Sequence, residues 1–244
     1  MQELENGEHG CTAEHIQWSI VNAHNGESFL SDGKLGSDIL NILGFTSPKV
    51  KHLLNNICNF PDCSYLELGV WAGATYSSAV YQNDIYAIGI DNYGAGAGIC
   101  PITFQEEHWQ SIVGDTPIVE QCIHNVKTYR KNEKVKLYQT DLFEFDFNHV
   151  EKPINCFFVD CDQAPGEVEN RYFHLDIINT YSEIFADKCI FIKDDWNWSR
   201  HSTRLALEKL ENYEITYEME LFTQFEEDYS DWWNGVFIAL LEKK

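Results

Sequence analysis

The chain has 244 residues, of which 44% are hydrophobic and 14% aromatic, a composition typical of a globular protein with one large core. Its 39 acidic residues outnumber its 17 lysines and arginines, which gives a formal net charge of −22. A protein that binds nucleic acid needs a basic surface, and anionic membranes attract basic segments, so this charge argues against both partners. We therefore expect a small-molecule partner.

The first residues and the cysteines predict a cellular compartment. The N-terminal segment is polar and acidic, unlike a signal peptide, and no apolar run approaches the roughly 18 residues of a transmembrane helix. The eight cysteines are scattered and have no CxxC spacing, which is typical of reduced, buried thiols and not of a zinc site. These features predict a cytoplasmic protein.

Residues 1–60 predict an N-terminal helical arm or cap, ahead of a main domain that spans residues 61–244. Helical patterns occur near residues 16–21, 35–43 and 48–58, and Pro48 suits the first turn of the third helix. Because these helices precede the first predicted strand, we expect them to cover the ligand side of the sheet.

Beyond residue 64, apolar strand-like runs alternate with helical patterns. The predicted strands span residues 65–68, 85–90, 135–139, 154–159 and 189–192. The predicted helices begin near residue 73, lie within 102–130, and span 168–185 and 202–210. Two further strand-like runs, residues 214–222 and 236–241, have no helix between them and should pair as an antiparallel hairpin. This order predicts an α/β fold with a doubly wound, mostly parallel seven-stranded sheet of the Rossmann-like type and a C-terminal antiparallel hairpin.

The first predicted strand runs into a glycine turn. Glu67, Gly69 and Gly73 follow the spacing E-x-G-x-x-x-G, with Thr75 two residues later. Glycine lets the backbone turn sharply and approach a ligand, and the helix that follows points its free N–H groups into the same space. Asp91 ends the next strand, at the edge where open α/β sheets bind ligands. A carboxylate there can accept both hydroxyls of a ribose, so the segment predicts a nucleoside-binding βαβ unit.

The glycine spacing narrows the choice of nucleoside. Trp71 interrupts the GxGxxG pattern of dinucleotide sites, and the GxxxxGK[ST] pattern of phosphate loops is absent. The turn and the acidic strand end together resemble class I methyltransferases that use S-adenosylmethionine (SAM). This resemblance implies that SAM is the cofactor. It implies that Asp141, which follows the third strand, contacts the adenine. The methionine and ribose parts are then bound by Glu67, Gly69, Gly73, Thr75 and Asp91.

Carboxylates also follow two later strands. Asp160 and Asp162 come directly after the strand 154–159, and Asp194 and Asp195 follow the strand 189–192. If these strands are neighbours, their carboxylates repel one another unless a cation holds them, and an all-oxygen cluster is the preference of Mg²⁺. The alternative is that these residues are helix N-caps, a role that Asp favours, since Asp195 precedes a helix.

The two acidic motifs, F-V-D-x-D and F-I-x-D-D-aromatic, resemble the macrocin O-methyltransferase-like group of metal-dependent sugar O-methyltransferases over about residues 60–210. Catechol O-methyltransferase shares the more distant outline. The resemblance implies that Asp160, Asp194 and Asp195 bind Mg²⁺ and that Asp160 belongs to the catalytic centre. It also expects a His or Lys base at position 163, where this chain has Gln163, whose amide accepts no proton at neutral pH.

Another group must then act as the base, unless a metal alone lowers the pKa of the acceptor hydroxyl sufficiently. His201, just beyond the second acidic motif, is our candidate catalytic base, ahead of His174 and Lys193. A histidine titrates close to neutral pH and is the commonest general base, although a single histidine is more often structural.

The sequence predicts a SAM-dependent, Mg²⁺-assisted O-methyltransferase that acts on a small-molecule hydroxyl of a sugar, a vicinal diol or a catechol. The alternatives are a metal-independent N- or O-methyltransferase of small molecules and a non-catalytic SAM-binding or scaffold protein. The glycine-rich residues 92–100 are either a lid over the site or a surface linker. The aromatic residues 222–233 line the acceptor pocket, contact another copy in a homo-oligomer, or pack on the sheet edge.

Overall fold

The structure is a computed structural model that describes residues 10–93, 116–161 and 170–244. Most of the predicted lid or linker, the first part of the helical region 102–130, and both Asp162 and Gln163 lie outside the described residues. Among the described residues, no helix is long and apolar enough to cross a membrane.

A seven-stranded sheet forms the centre of the molecule. Its strands are β1 Ser64–Leu68, β2 Tyr86–Asp91, β3 Val135–Gln139, β4 Ile154–Val159, β5 Phe185–Lys193, β6 Tyr213–Leu221 and β7 Val236–Lys243. They lie in the order β3-β2-β1-β4-β5-β7-β6, with β1 to β5 parallel and β7 antiparallel to both β5 and β6. The predicted fold class is therefore confirmed, including the C-terminal hairpin.

Seven α-helices are described beside the sheet: α1 Ala13–His24, α2 Ser37–Leu40, α3 Pro48–Ile57, α4 Ala74–Val80, α5 Ile118–Tyr129, α6 Asn170–Ser182 and α7 Trp196–Glu208. Local signals fix the start of two of them. The Thr12 hydroxyl accepts a hydrogen bond at the start of α1 and the Ser47 hydroxyl does so at the start of α3, where Pro48 occupies the first turn. The helix predicted from residue 202 begins earlier, at Trp196.

Helices pack on both faces of the sheet and make two apolar cores. On one face, Ile16 of α1 and Leu53 of α3 share a core with Cys156 and Ile190 of the sheet. On the other face, Ile177 of α6 and other residues of α6 and α7 pack against the sheet. The helices before residue 60 thus form part of a main layer of the fold, while the division of the chain at residue 60 stays a prediction.

The topology places a crevice between β1 and β4. The chain proceeds from β1 to β2 on one side and returns through β4 to β5 on the other, and open α/β sheets bind ligands at such a switch in strand order. The segment between β6 and β7, residues 222–235, reaches the same edge because β7 begins beside the end of β5, where Phe237 pairs with Lys193. We call residues 222–235 the β6–β7 loop.

Candidate cofactor and acceptor site

Glu67 stabilises the glycine turn through hydrogen bonds with side chains before and after it. Its side chain is fully buried, and its two carboxyl oxygens accept hydrogen bonds from the Thr75 hydroxyl at 2.6 Å and the Tyr65 hydroxyl at 2.5 Å. Burial raises the pKa of Glu67 to about 8, although both hydrogen bonds act in the opposite direction. Burial therefore favours the protonated form of this side chain, and its contact with the methionine part of SAM stays a prediction.

The two turn glycines make room for neighbouring segments of the chain. Gly69 has a φ of +85°, and a Cβ atom there would lie 1.8 Å from the carbonyl oxygen of Asp160. Gly73 has a φ of +83°, and its Cβ would lie 3.2 Å from the Cys122 sulfur of α5. Only glycine adopts both the conformation and the close approach without strain. Gly69 thereby brings the cofactor turn into direct backbone contact with the end of β4.

Asp91 is positioned by the backbone of the loops around it. Its Oδ2 accepts a hydrogen bond from the Trp71 N–H at 2.7 Å, and its Oδ1 accepts one from the Tyr93 N–H at 2.6 Å. Burial raises the pKa of Asp91, and these N–H groups oppose that shift. The Val70 N–H acts on the carboxylate in the same direction. Asp91 is half-buried at the end of β2, and its contact with a ribose diol stays a prediction.

Asp141 lies at the rim of the same edge. The Thr140 N–H donates to the backbone carbonyl of Asp91 at 3.1 Å, which joins the ends of β3 and β2. The exposed Asp141 carboxylate accepts a hydrogen bond from the Phe143 N–H at 2.9 Å. The structure thus brings Asp141 to the same edge as Asp91, and its contact with adenine stays a prediction.

Asp160 and Asp194 are adjacent at the ends of β4 and β5. The Asp194 N–H donates to the Val159 carbonyl at 3.1 Å, which extends the parallel ladder to these two residues. Burial raises the pKa of Asp160 well above its usual range, and the charges of Asp194 and Asp195 add to this effect. The charge of Lys193 acts in the opposite direction. The ends of β4 and β5 therefore bring Asp160 and Asp194 next to each other.

Asp195 precedes α7, but its carboxylate does not cap the helix. The residue has a φ of +51° and makes no side-chain capping bond. The first N–H groups of α7 donate instead to the backbone carbonyls of Gly235 and Asn234, at 3.0 Å and 2.9 Å. The Asp195 carboxylate accepts a hydrogen bond from the Asn234 amide at 2.8 Å. The β6–β7 loop therefore caps α7 and fixes the Asp195 carboxylate through Asn234.

The three aspartates do not fit the predicted metal site. Within residues 10–93, 116–161 and 170–244, no group of three His, Cys, Asp or Glu side chains is arranged to hold a metal ion. Asp162 is outside these residues. The prediction that Asp160, Asp194 and Asp195 bind Mg²⁺ therefore receives no support from the geometry, and we derive no chemical step through a metal.

The candidate bases occupy different environments. His201 has an exposed side chain in the second turn of α7. His174 is buried between α6 and α7, with its Nδ1 at 2.7 Å from the Ser202 hydroxyl. Lys193 is fully buried, and its ammonium donates to the Asp194 carbonyl at 2.7 Å. These contacts suit structural roles for His174 and Lys193, while His201 as the base stays a prediction.

Two features of the site were not predicted from the sequence. Tyr65 was assigned only to the strand, yet its hydroxyl completes the surroundings of Glu67. Asn234 had no assigned role, yet its amide also accepts the N–H of Glu227 at 2.7 Å, and so it links the β6–β7 loop to Asp195. The Asn-Gly pair at residues 234–235 is a recognised turn signal and was the available clue.

Comparison with solved structures identifies the architecture. A putative O-methyltransferase from Klebsiella pneumoniae superposes with a TM-score of 0.51 at 9% identity, over 98% of this chain and 92% of that one. TrmN from Thermus thermophilus gives a TM-score of 0.51 at 8% identity, over 85% of this chain and 52% of that one. The chain has a methyltransferase fold.

A third methyltransferase structure carries the product form of the cofactor. SMU.776, a putative methyltransferase complexed with SAH, has a TM-score of 0.50 at 12% identity, over 82% of this chain and 50% of that one. This chain spans about half the length of TrmN and of SMU.776. No family model and no curated protein sequence matches the chain. Identities this low show the methyltransferase fold alone, so the resemblance to the sugar O-methyltransferase group stays a prediction.

Proposed function

We propose that this chain is a SAM-dependent methyltransferase that methylates a hydroxyl group of a small molecule. The observation that carries the proposal is the arrangement of Asp91. Its carboxylate is fixed by backbone N–H groups that include those of Trp71 and Tyr93, and it lies at the carboxyl end of β2, next to β1, in a methyltransferase fold. The putative O-methyltransferase and the SAH complex among the similar structures agree with this assignment.

The residues of the first crossover fit SAM by their chemistry. We assign the ribose hydroxyls to Asp91 and the adenine amino group to Asp141. Gly69 and Gly73 let the turn pack closely against its neighbours, and the hydrogen bond from Thr75 to Glu67 stabilises the turn. SAM, when bound, supplies a methyl group that its sulfonium already activates. The protein therefore needs to bind and align the reactants and to exclude water, and it needs no covalent intermediate.

We place the acceptor beside the ends of β4 and β5. The Asp195 carboxylate follows the end of β5, and a carboxylate accepts a hydrogen bond from an acceptor hydroxyl and so orients its oxygen. The net charge of −22 favours a neutral or cationic small molecule over a nucleic acid. The same residues suit an amine as well, so the N-methyltransferase alternative is retained as a rival outcome.

Cofactor binding tests the first half of the proposal. Titration calorimetry with SAM and SAH should give one-to-one binding to the wild-type chain, and Asp91→Asn should weaken it about tenfold to a hundredfold, which is the effect of losing charged hydrogen bonds of about 1.5–3 kcal/mol. Asp187→Asn is the matched control, because that carboxylate is 88% exposed and lies in the first half of β5, away from the crevice. An absence of binding at millimolar SAM would refute the proposal.

Turnover tests the second half. Methyl transfer from labelled SAM should be measured on sugars, catechols and matched amines, with and without EDTA. Methylation of a hydroxyl compound supports the proposal, and methylation of only the amines favours the N-methyltransferase. Binding of SAM without transfer to any acceptor would favour a non-catalytic SAM-binding protein.

A further inference from the structure

The segment 43–46, between α2 and α3, lies against the glycine turn. A Cβ atom at Gly44 would lie 2.5 Å from the Cβ of Ala74, the first residue of α4. The Phe45 ring packs on the Trp71 ring of the turn, with 4.7 Å between the ring centroids. Apolar residues in and around α2 share a small core with Ala74. The N-terminal part of the chain is therefore in direct contact with the turn to which we assign the cofactor.

Thr46 carries a buried hydroxyl in this segment. The residue is 2% exposed, and within the part of the chain that the structure describes its Oγ1 atom has no hydrogen-bond partner. Its Cγ2 atom lies 3.6 Å from the same Cβ position at Gly44 that meets Ala74. Most buried side-chain hydroxyls in proteins are hydrogen-bonded, and an unsatisfied one destabilises the folded chain. Thr46 therefore places an unsatisfied polar group next to the start of α4.

The side chains that the sequence assigns to the methionine part of SAM are engaged with each other. Glu67 is fully buried, and its two carboxyl oxygens accept hydrogen bonds from the hydroxyls of Thr75 and Tyr65. The amino-acid end of SAM carries an ammonium and a carboxylate, and both need polar partners when they leave water. A hydroxyl such as that of Thr46 can donate to the carboxylate or accept from the ammonium.

We propose that Thr46 is a further cofactor-binding residue and that its hydroxyl forms a hydrogen bond with the amino-acid end of SAM. The inference rests on the proposed function, because it requires SAM in the crevice beside the glycine turn. A hydroxyl this deeply buried reaches a ligand only if the segment 43–46 shifts upon binding, so the contact forms through a local rearrangement. The bound ligand then satisfies a group that the polypeptide leaves without a partner.

The experiment compares ligands with and without the amino-acid end by titration calorimetry on the full chain. SAM and SAH carry this end, whereas 5′-methylthioadenosine keeps the nucleoside and lacks it. Thr46→Val keeps the shape of the side chain and should weaken the binding of SAM and SAH about tenfold, the effect of a lost hydrogen bond to a charged group. The same variant should change the affinity for 5′-methylthioadenosine by less than about twofold. Thr46→Ser keeps the hydroxyl and should stay within about threefold of the wild-type chain for all three ligands.

Thr203→Val is the matched control. Thr203 of α7 is also fully buried, and among the described residues its Oγ1 atom has no hydrogen-bond partner either. Residues of α7 pack on the opposite face of the sheet from those of α4. Thr203→Val should therefore leave the affinity for each of the three ligands unchanged.

Urea unfolding of the chain without ligand gives a second readout. Thr46→Val removes a buried hydroxyl that has no partner, so its unfolding midpoint should equal or exceed that of the wild-type chain. A lower midpoint, or a variant that does not fold, would show that Thr46 has a structural role and would overturn the inference.

The binding results separate this inference from the proposed function. If the wild-type chain binds SAM and Thr46→Val binds it equally well, the inference fails and the proposed function stands. Equal losses of affinity for SAM and 5′-methylthioadenosine would also overturn the inference, because the substitution would then act on the whole turn. An absence of SAM binding to the wild-type chain would overturn both.

Discussion

Substitution of Glu67 by Gln tests how much the burial of an ionised carboxylate lowers the free energy of unfolding, because Gln packs in the same way and carries no charge. Burial raises the pKa of Glu67 in the folded chain to about 8, against 4.5 for a glutamate in water. A raised pKa means that the folded state holds the proton more tightly than the unfolded state. The contribution of the Glu67 proton to the free energy of unfolding is therefore complete below about pH 4.5, and it is lost as the pH rises through about 8. The difference, about 8 minus 4.5, corresponds to at most ~5 kcal/mol.

Glu67→Gln keeps the shape of the side chain and removes this proton equilibrium, while the hydroxyls of Tyr65 and Thr75 can reorient towards the amide. Urea unfolding of both proteins should be measured between about pH 5 and about pH 9 at constant ionic strength. The free energy of unfolding of the wild-type chain should fall by several kcal/mol more than that of the variant across this range. Glu208→Gln, on the exposed side of α7, is the control and should leave the wild-type slope unchanged. Parallel curves for the wild-type chain and Glu67→Gln would refute the reasoning.

Two further predictions concern backbone contacts at the site. Gly69→Ala should prevent folding or lower the free energy of unfolding by more than about 3 kcal/mol, because its Cβ would lie 1.8 Å from the Asp160 carbonyl oxygen. Gly33→Ala is the control, because Gly33 has a similar φ of +73° and nothing within 4 Å of its Cβ position. Urea unfolding should show a loss of only ~1 kcal/mol for that variant. Asn234→Ala should cost about 2 kcal/mol through its lost hydrogen bonds, including the one to Asp195. Equal losses for the two glycine variants, or an unchanged free energy of unfolding for Asn234→Ala, would contradict these contacts.

The sequence predicts the sheet well because its central strands carry continuous apolar runs. The run of residues 154–159 is buried on both faces, as a central parallel strand requires, and it forms β4 within the same bounds. The hairpin was predicted from a local feature as well, namely two strand-like runs without a helix between them. Such features depend on residues close together in the chain.

The errors arise where distant residues meet. The helix predicted from residue 202 begins earlier, at Trp196, and no side chain caps its first turn. Its N–H groups are bound instead by the carbonyls of residues 234 and 235.

The capping of α7 by the β6–β7 loop has a consequence for the order in which the site is completed during synthesis. The cofactor turn and Asp91 belong to the first crossover and are made early. Asn234 and Gly235, which fix the start of α7 and the Asp195 carboxylate, are made only after six of the seven strands. A nascent chain that has not reached residue 235 therefore has every residue assigned to SAM and an acceptor edge that is still unformed. Within this chain, the residues that we assign to the cofactor are therefore synthesised before those that complete the proposed acceptor edge.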